Sequence, residues 1–193
     1  NGETISGSSL SRNHYPAGMV DNFRLRQSII ETNVPTGPWR SPGHSAYCFA
    51  YQSFFDEVAL AAGRDPLEFR LDLLANAPGK LQLDPKRASD TLRVAAEKSG
   101  WGREMEEGRG LGIAFHFAHR GHVAHVAEVT VDGDRYTLDK VYAAVDVGPI
   151  LNMSGALGQV EGCVIDALST TQLETTIAGG AVQQVKIKAA DFR

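Results

Sequence analysis

At Gly108 the hydrophobic period changes, and that change does most to limit the fold. Between residues 45 and 99 apolar side chains recur at helical spacing. From 108 to 145 they alternate every second residue. Several helices followed by a run of consecutive strands give an α+β fold, with a mainly antiparallel sheet and helices packed on one side. The strands read as 110–117, 122–131 and 135–145, with His119-Arg120-Gly121 and Asp132-Gly133-Asp134 as turns.

The helical part divides into three. Ser45 is a candidate cap for a helix to about Ala62, which Gly63 stops. In it Tyr47, Phe54 and Phe55 are expected in the core, together with Leu71 of the next helix. Asp65-Pro66 opens that second helix, with Asp as cap, Pro in the first turn and Glu68 three residues after the cap. A third helix runs over about 86–99 and ends at Gly100. After the strands, residues 154–169 (SGALGQVEGCVIDALS) read as a small-residue helix whose glycines admit a backbone or ligand at close range. A final hairpin is expected over 173–177 and 181–188. Near the start, 23–31 alternates like a strand, after an irregular segment 1–22 loosely anchored by Tyr15 and Met19.

Composition excludes several classes. With 193 residues, a chain this size buries roughly 70% of its unfolded surface and needs no disulfide or metal to hold a core. No apolar run approaches the ~20 residues of a spanning helix. A net charge of −4 speaks against a broad nucleic-acid surface. Cys48 and Cys163 stand in no ligand-like spacing, and both are expected to be thiols serving as buried hydrophobes.

Three constellations could carry chemistry. Residues 32–44, TNVPTGPWRSPGH, hold three prolines and two glycines and place Trp39, Arg40 and His44 in a stiff loop before a helix. Helix N-termini offer unpaired N–H groups to anions, and Arg40 adds a forked donor. The bland alternative is a structural loop with Trp39 in the core. His116, His119, His122 and His125 recur every third residue. On strands that spacing scatters neighbours to opposite faces, so they are read as hairpin histidines and no metal ligand is assigned. Gln159 and Glu161 are polar positions in the apolar helix, equally consistent with a water-facing surface. Asp146-Val147-Gly148 is most simply a turn.

The strings VPTGPWRSPGHS (34–45) and FFDEVALAAGRDPLEFRLDLL (54–74) resemble the large subunit of molybdenum hydroxylases, the xanthine dehydrogenase and aldehyde oxidase superfamily. More narrowly, the chain is similar to the beta subunit of isoquinoline 1-oxidoreductase and related aldehyde dehydrogenases. GRGLGIAFH (108–116), VAHVAEVTVD (123–132), VYAAVDVGPILN (141–152) and GQVEGCVIDALS (158–169) follow in that family's order. The resemblance covers about 23–193. It implies a partial molybdopterin-binding domain: cofactor-side loop 34–45, helices 45–99, and 108–193 forming sheet with one helix.

By the same resemblance, Arg40, with Ser41 and Gly43 of its loop, and Gln159 lie against molybdopterin, often the cytosine dinucleotide form. A partner subunit carries iron–sulfur clusters. The reaction is hydroxylation of an N-heterocycle or oxidation of an aldehyde, with water as oxygen source; the compartment is left open between bacterial cytoplasm and periplasm. No catalytic residue is assigned here, because the family's general-base glutamate is expected beyond Arg193; Glu161 and Asp146 are the nearest substitutes. Other family loops are expected before residue 1, and Pro42 stands where the wider group has an aromatic residue. The chain is therefore expected to be a fragment, inactive and without cofactor alone, prone to self-association. A non-catalytic binding or assembly module with the same fold is the alternative.

Overall fold

The computed structural model describes residues 17–24, 26, 28, 40–78, 80–172 and 176–183. Of the expected strand at 23–31, residues 23, 24, 26 and 28 are described and none is in a strand; the others, with Tyr15 and Trp39, lie outside the described residues. Two compact units divide the chain after Gly148.

In the first unit, α1 (His44–Ala61), α2 (Pro66–Ala75) and α3 (Pro85–Ser99) precede β1 (Arg109–Ala118), β2 (Gly121–Asp132) and β3 (Arg135–Asp146). The sheet is antiparallel in the order β1-β2-β3, with β2 central. Alternation puts Ile113 and Phe115 of β1, Ala124 and Val126 of β2 and Ala144 of β3 on one face. They share a core with Phe55, Leu67, Leu71 and Leu74 of the first two helices and with Leu92 and Ala95 of α3. Met19 is 3% exposed and belongs to that core, as its expected anchor role requires.

The local signals explain most boundaries. Asp65 caps α2: its Oδ1 accepts from the N–H groups of Leu67 and Glu68. Its Oδ2 accepts from Trp101 Nε1 at 2.9 Å, so the same carboxylate ties the start of α2 to the chain just after α3. Asp84 caps α3 in the same manner, and Gly100 ends that helix in the left-handed conformation.

Four expectations need correction. Ser45 does not cap α1; the helix begins at His44, after Gly43, with no side-chain cap, because the chain turns through left-handed geometry one residue too early for the Ser45 hydroxyl to serve. Phe54 is 59% exposed, since the helix turns Phe55, not its neighbour, toward the sheet. Tyr47 is only half-buried, because it lines an open pocket. Asp146 is not a turn residue: it ends β3 as an ion-paired strand position.

A buried arginine fastens the helices together. Arg70 of α2 is 1% exposed. Its Nε donates to Gln52 Oε1 at 2.8 Å, its Nη2 to the Gln52 carbonyl, and its Nη1 to the Pro66 carbonyl. Asp56 supplies the countercharge at 2.8 Å. Gln52 Oε1 also accepts from the Phe115 N–H at 3.1 Å. One amide of α1 is thus held by α2 on one side and by β1 on the other. Across the sheet, buried Glu128 accepts from Arg109 at 2.7 Å and pairs with Arg103 at 2.8 Å, beside a β-bulge between Glu128 and Val129.

The second unit holds α4 (Met153–Gln172) and a two-residue hairpin of β4 (Ile177–Ala178) and β5 (Ala181–Val182). Asn152 starts α4, its Oδ1 accepting from the Gly155 N–H. The late hairpin forms a sheet of its own, shorter than the expected 173–177 and 181–188, whose remaining positions lie outside the described residues. Among the described residues no helix is long and apolar enough to cross a membrane.

Candidate functional site

The loop residues assigned by resemblance stand together at the head of α1. Arg40 and Ser41 are exposed; Ser41 has φ +57° and Gly43 φ +75°. The left-handed backbone explains why position 43 is glycine, and a Cβ there would also meet the Tyr47 ring at 3.0 Å. The first turn of α1 contains no acidic residue and has no side-chain cap. Arg40 and this helix start therefore form a donor-rich, cationic surface. That donor set fits an anionic, carbonyl-rich group such as a pterin cofactor.

A pocket of about 200 Å³ opens at the same end of α1, lined by His44, Tyr47, Tyr51, Gln82 and the His116–His119 stretch of the β1–β2 hairpin. His44 Nδ1 and His116 Nε2 lie 3.1 Å apart, and the rings of His44 and His119 are 5.7 Å apart. Burial and the neighbouring Tyr47 push the Tyr51 phenol up. His119 and Arg120 form the hairpin turn with φ +48° and +66°, where glycine or asparagine is usual.

The four spaced histidines separate into different settings. His122 faces the core, 1% exposed, where its Nε2 accepts from the Asp84 N–H at 3.2 Å. Its neutral form therefore carries its proton on Nδ1, a buried atom without a hydrogen-bond partner. Burial, then the Arg87 charge, holds its pKa below the usual 6.5. His125 stands on the other face of β2 and is also lowered, by burial. His116 and His119 meet His44, a partner 72 residues from His116 that no local spacing could reveal.

The two carboxylates named as substitute bases stand in different settings. Arg87 donates to both Asp146 oxygens, at 2.6 and 2.7 Å. That hydrogen bonding lowers the Asp146 pKa to about 2, far from a base poised near neutrality. Glu161 is exposed on α4.

On that helix Gln159 is exposed, between Gly158 and Gly162, where an added Cβ would meet nothing within 4 Å. Cys163 is exposed too, correcting the expectation of two buried thiols: α4 turns it outward, one turn after Gln159. Cys48 is half-buried, and burial pushes its thiol to about 11.

The antiparallel sheet and its three helices define a domain of α+β class. Residues 74–188 match the family model described as the molybdopterin cofactor-binding domain, and the chain belongs to that family. It is 33% identical over 174 residues to the beta subunit of isoquinoline 1-oxidoreductase from Brevundimonas diminuta, covering 87% of this chain and 21% of the relative. It is 30% identical to a membrane-bound aldehyde dehydrogenase (pyrroloquinoline-quinone) of Gluconacetobacter polyoxogenes, over 84% of this chain and 23% of the relative. A third relative, a subunit of nicotinate dehydrogenase from Pseudomonas putida, is 35% identical over 63% of this chain and 11% of its own length. The chain thus spans about a fifth of the first two relatives and a tenth of the third. No solved structure matches it.

Proposed function

We propose that this chain supplies part of the molybdopterin site of an oxidoreductase that hydroxylates N-heterocycles or oxidises aldehydes. The observation that carries the reading is the Arg40–Gly43 turn, which opens onto a helix start holding neither an acidic residue nor a side-chain cap. Arg40 would bind the cofactor's oxygen-rich edge, Ser41 and Gly43 would let the backbone approach it, and Gln159 would offer an amide to the pterin. The cofactor, molybdopterin or its cytosine dinucleotide form, would bring the molybdenum centre at which substrate is oxidised with water as oxygen source. An iron–sulfur subunit takes the electrons, in keeping with two relatives that are each named as one subunit of an enzyme.

On its own, the chain is proposed to be catalytically incomplete. Of the two carboxylates nearest by sequence to the family's base, Asp146 is locked to Arg87 and Glu161 is surface-exposed. Loss of anchoring contacts also weakens a ligand that must be ordered on binding. The test is purification from a host that makes the cofactor, with elemental analysis for molybdenum and turnover assays using an artificial electron acceptor. The expected result is neither stoichiometric molybdenum nor turnover. Both together would overturn this reading. In a holoenzyme containing this segment, Arg40→Ala should lower molybdenum occupancy; unchanged occupancy and turnover would remove Arg40 from the site.

A further inference from the structure

The imidazoles at the head of α1 have a use that cofactor binding does not account for. His44 Nδ1 and His116 Nε2 are 3.1 Å apart. Two nitrogens on one tetrahedral zinc, with arms of about 2.0–2.1 Å, stand about 3.3 Å from each other. The nitrogen separation is close to a chelating bite, with a metal lying about 1.2 Å off the line that joins them and replacing the hydrogen bond between the rings. His119 is exposed, and its ring lies 5.7 Å from that of His44. As the side chains stand, no three His, Cys, Asp or Glu among the described residues surround a common point. To act as a third ligand, His119 would have to move from its present position.

We propose that His44 and His116 chelate a divalent transition-metal ion, zinc, nickel or copper(II), with His119 rotating in as third ligand and water from the pocket completing the shell. The ligand chemistry selects this class: imidazole suits zinc, nickel and copper, and among the described residues no carboxylate lines the pocket to favour calcium or magnesium. The turn geometry agrees. Two consecutive non-glycine residues with positive φ are costly, and here they carry the chain round so that His119 borders the pocket opposite His44.

The experiment uses the untagged 193-residue chain, titrated calorimetrically with zinc and, separately, with copper(II) followed by electron paramagnetic resonance. One saturable site of micromolar affinity or tighter is expected, with two or three coordinated imidazole nitrogens in the copper spectrum. His44→Ala and His116→Ala should each abolish it, His119→Ala should weaken it, and His125→Ala should leave it unchanged. Absence of a one-to-one site, or binding that survives loss of His44 or His116, overturns the proposal. If either alanine variant fails to fold by circular dichroism, the parent spectrum decides: one nitrogen or none overturns it.

Discussion

Two side chains that touch Arg87 and Asp84 set how this protein responds to acid. The folded state resists protonating His122, whose pKa is lowered by burial and then by Arg87. The unfolded chain accepts that proton near 6.5, so it binds more protons there and stability falls as pH drops below that value. Asp146, lowered to about 2 by Arg87, adds stability that is whole above its usual 3.8 and is lost as pH falls toward 2. Chemical denaturation across pH should show both losses. His122→Gln should flatten the one near neutrality, and Arg87→Ala the one at low pH; unchanged profiles would assign the acid response elsewhere. The thiols divide by the same logic. A disulfide reagent should modify Cys163 quickly in native protein, and Cys48, with a thiol near 11, only on unfolding.

At the scale of elements, α1 is held by side chains as much as by its apolar stripe. Phe55 is 8% exposed in the core, and Phe55→Ala should cost about 3–5 kcal/mol in urea unfolding. A loss under about 1 kcal/mol would mean that α1 does not bury that face. Arg70→Ala should also cost about 3–5 kcal/mol by leaving buried acceptors unmatched. Combined with Gln52→Ala it should fall short of additivity, because both remove the same contacts. Much of this architecture was readable from local rules: the cap at Asp65, the stop at Gly100, the alternation along β1, β2 and β3. The fastening was not. Arg70 within FRLDLL looks like a solvated position, and only the meeting of α1, α2 and β1 makes it an interior one. In the candidate site, the loop could be read from its prolines and glycines. The joining of His44 with His116 depended on tertiary packing.

For the molecule as a whole, protection should follow topology. β2 is paired on both sides and lies under the helices, so its amides should exchange slowest, at the free energy of global unfolding. The β4–β5 hairpin has two residues per strand and is exposed, so its amides should exchange fastest among the described strands. Hydrogen exchange read by mass spectrometry tests the order; equal rates in β2 and β4–β5 would refute it. Beyond the core, Phe49, Phe54 and Leu60 of α1 lie 73%, 59% and 81% exposed; the expected outcome is self-association at high concentration, read by sedimentation velocity.

The His119–Arg120 turn also makes the protein improvable in a particular direction. Asn-Gly at these positions would suit the positive φ values and relieve strain of order 1 kcal/mol or more per residue. A laboratory selection for heat resistance alone should therefore reach this turn early and discard His119. A selection that also demanded copper or zinc capture should keep it, so the two lineages would diverge first at one hairpin tip.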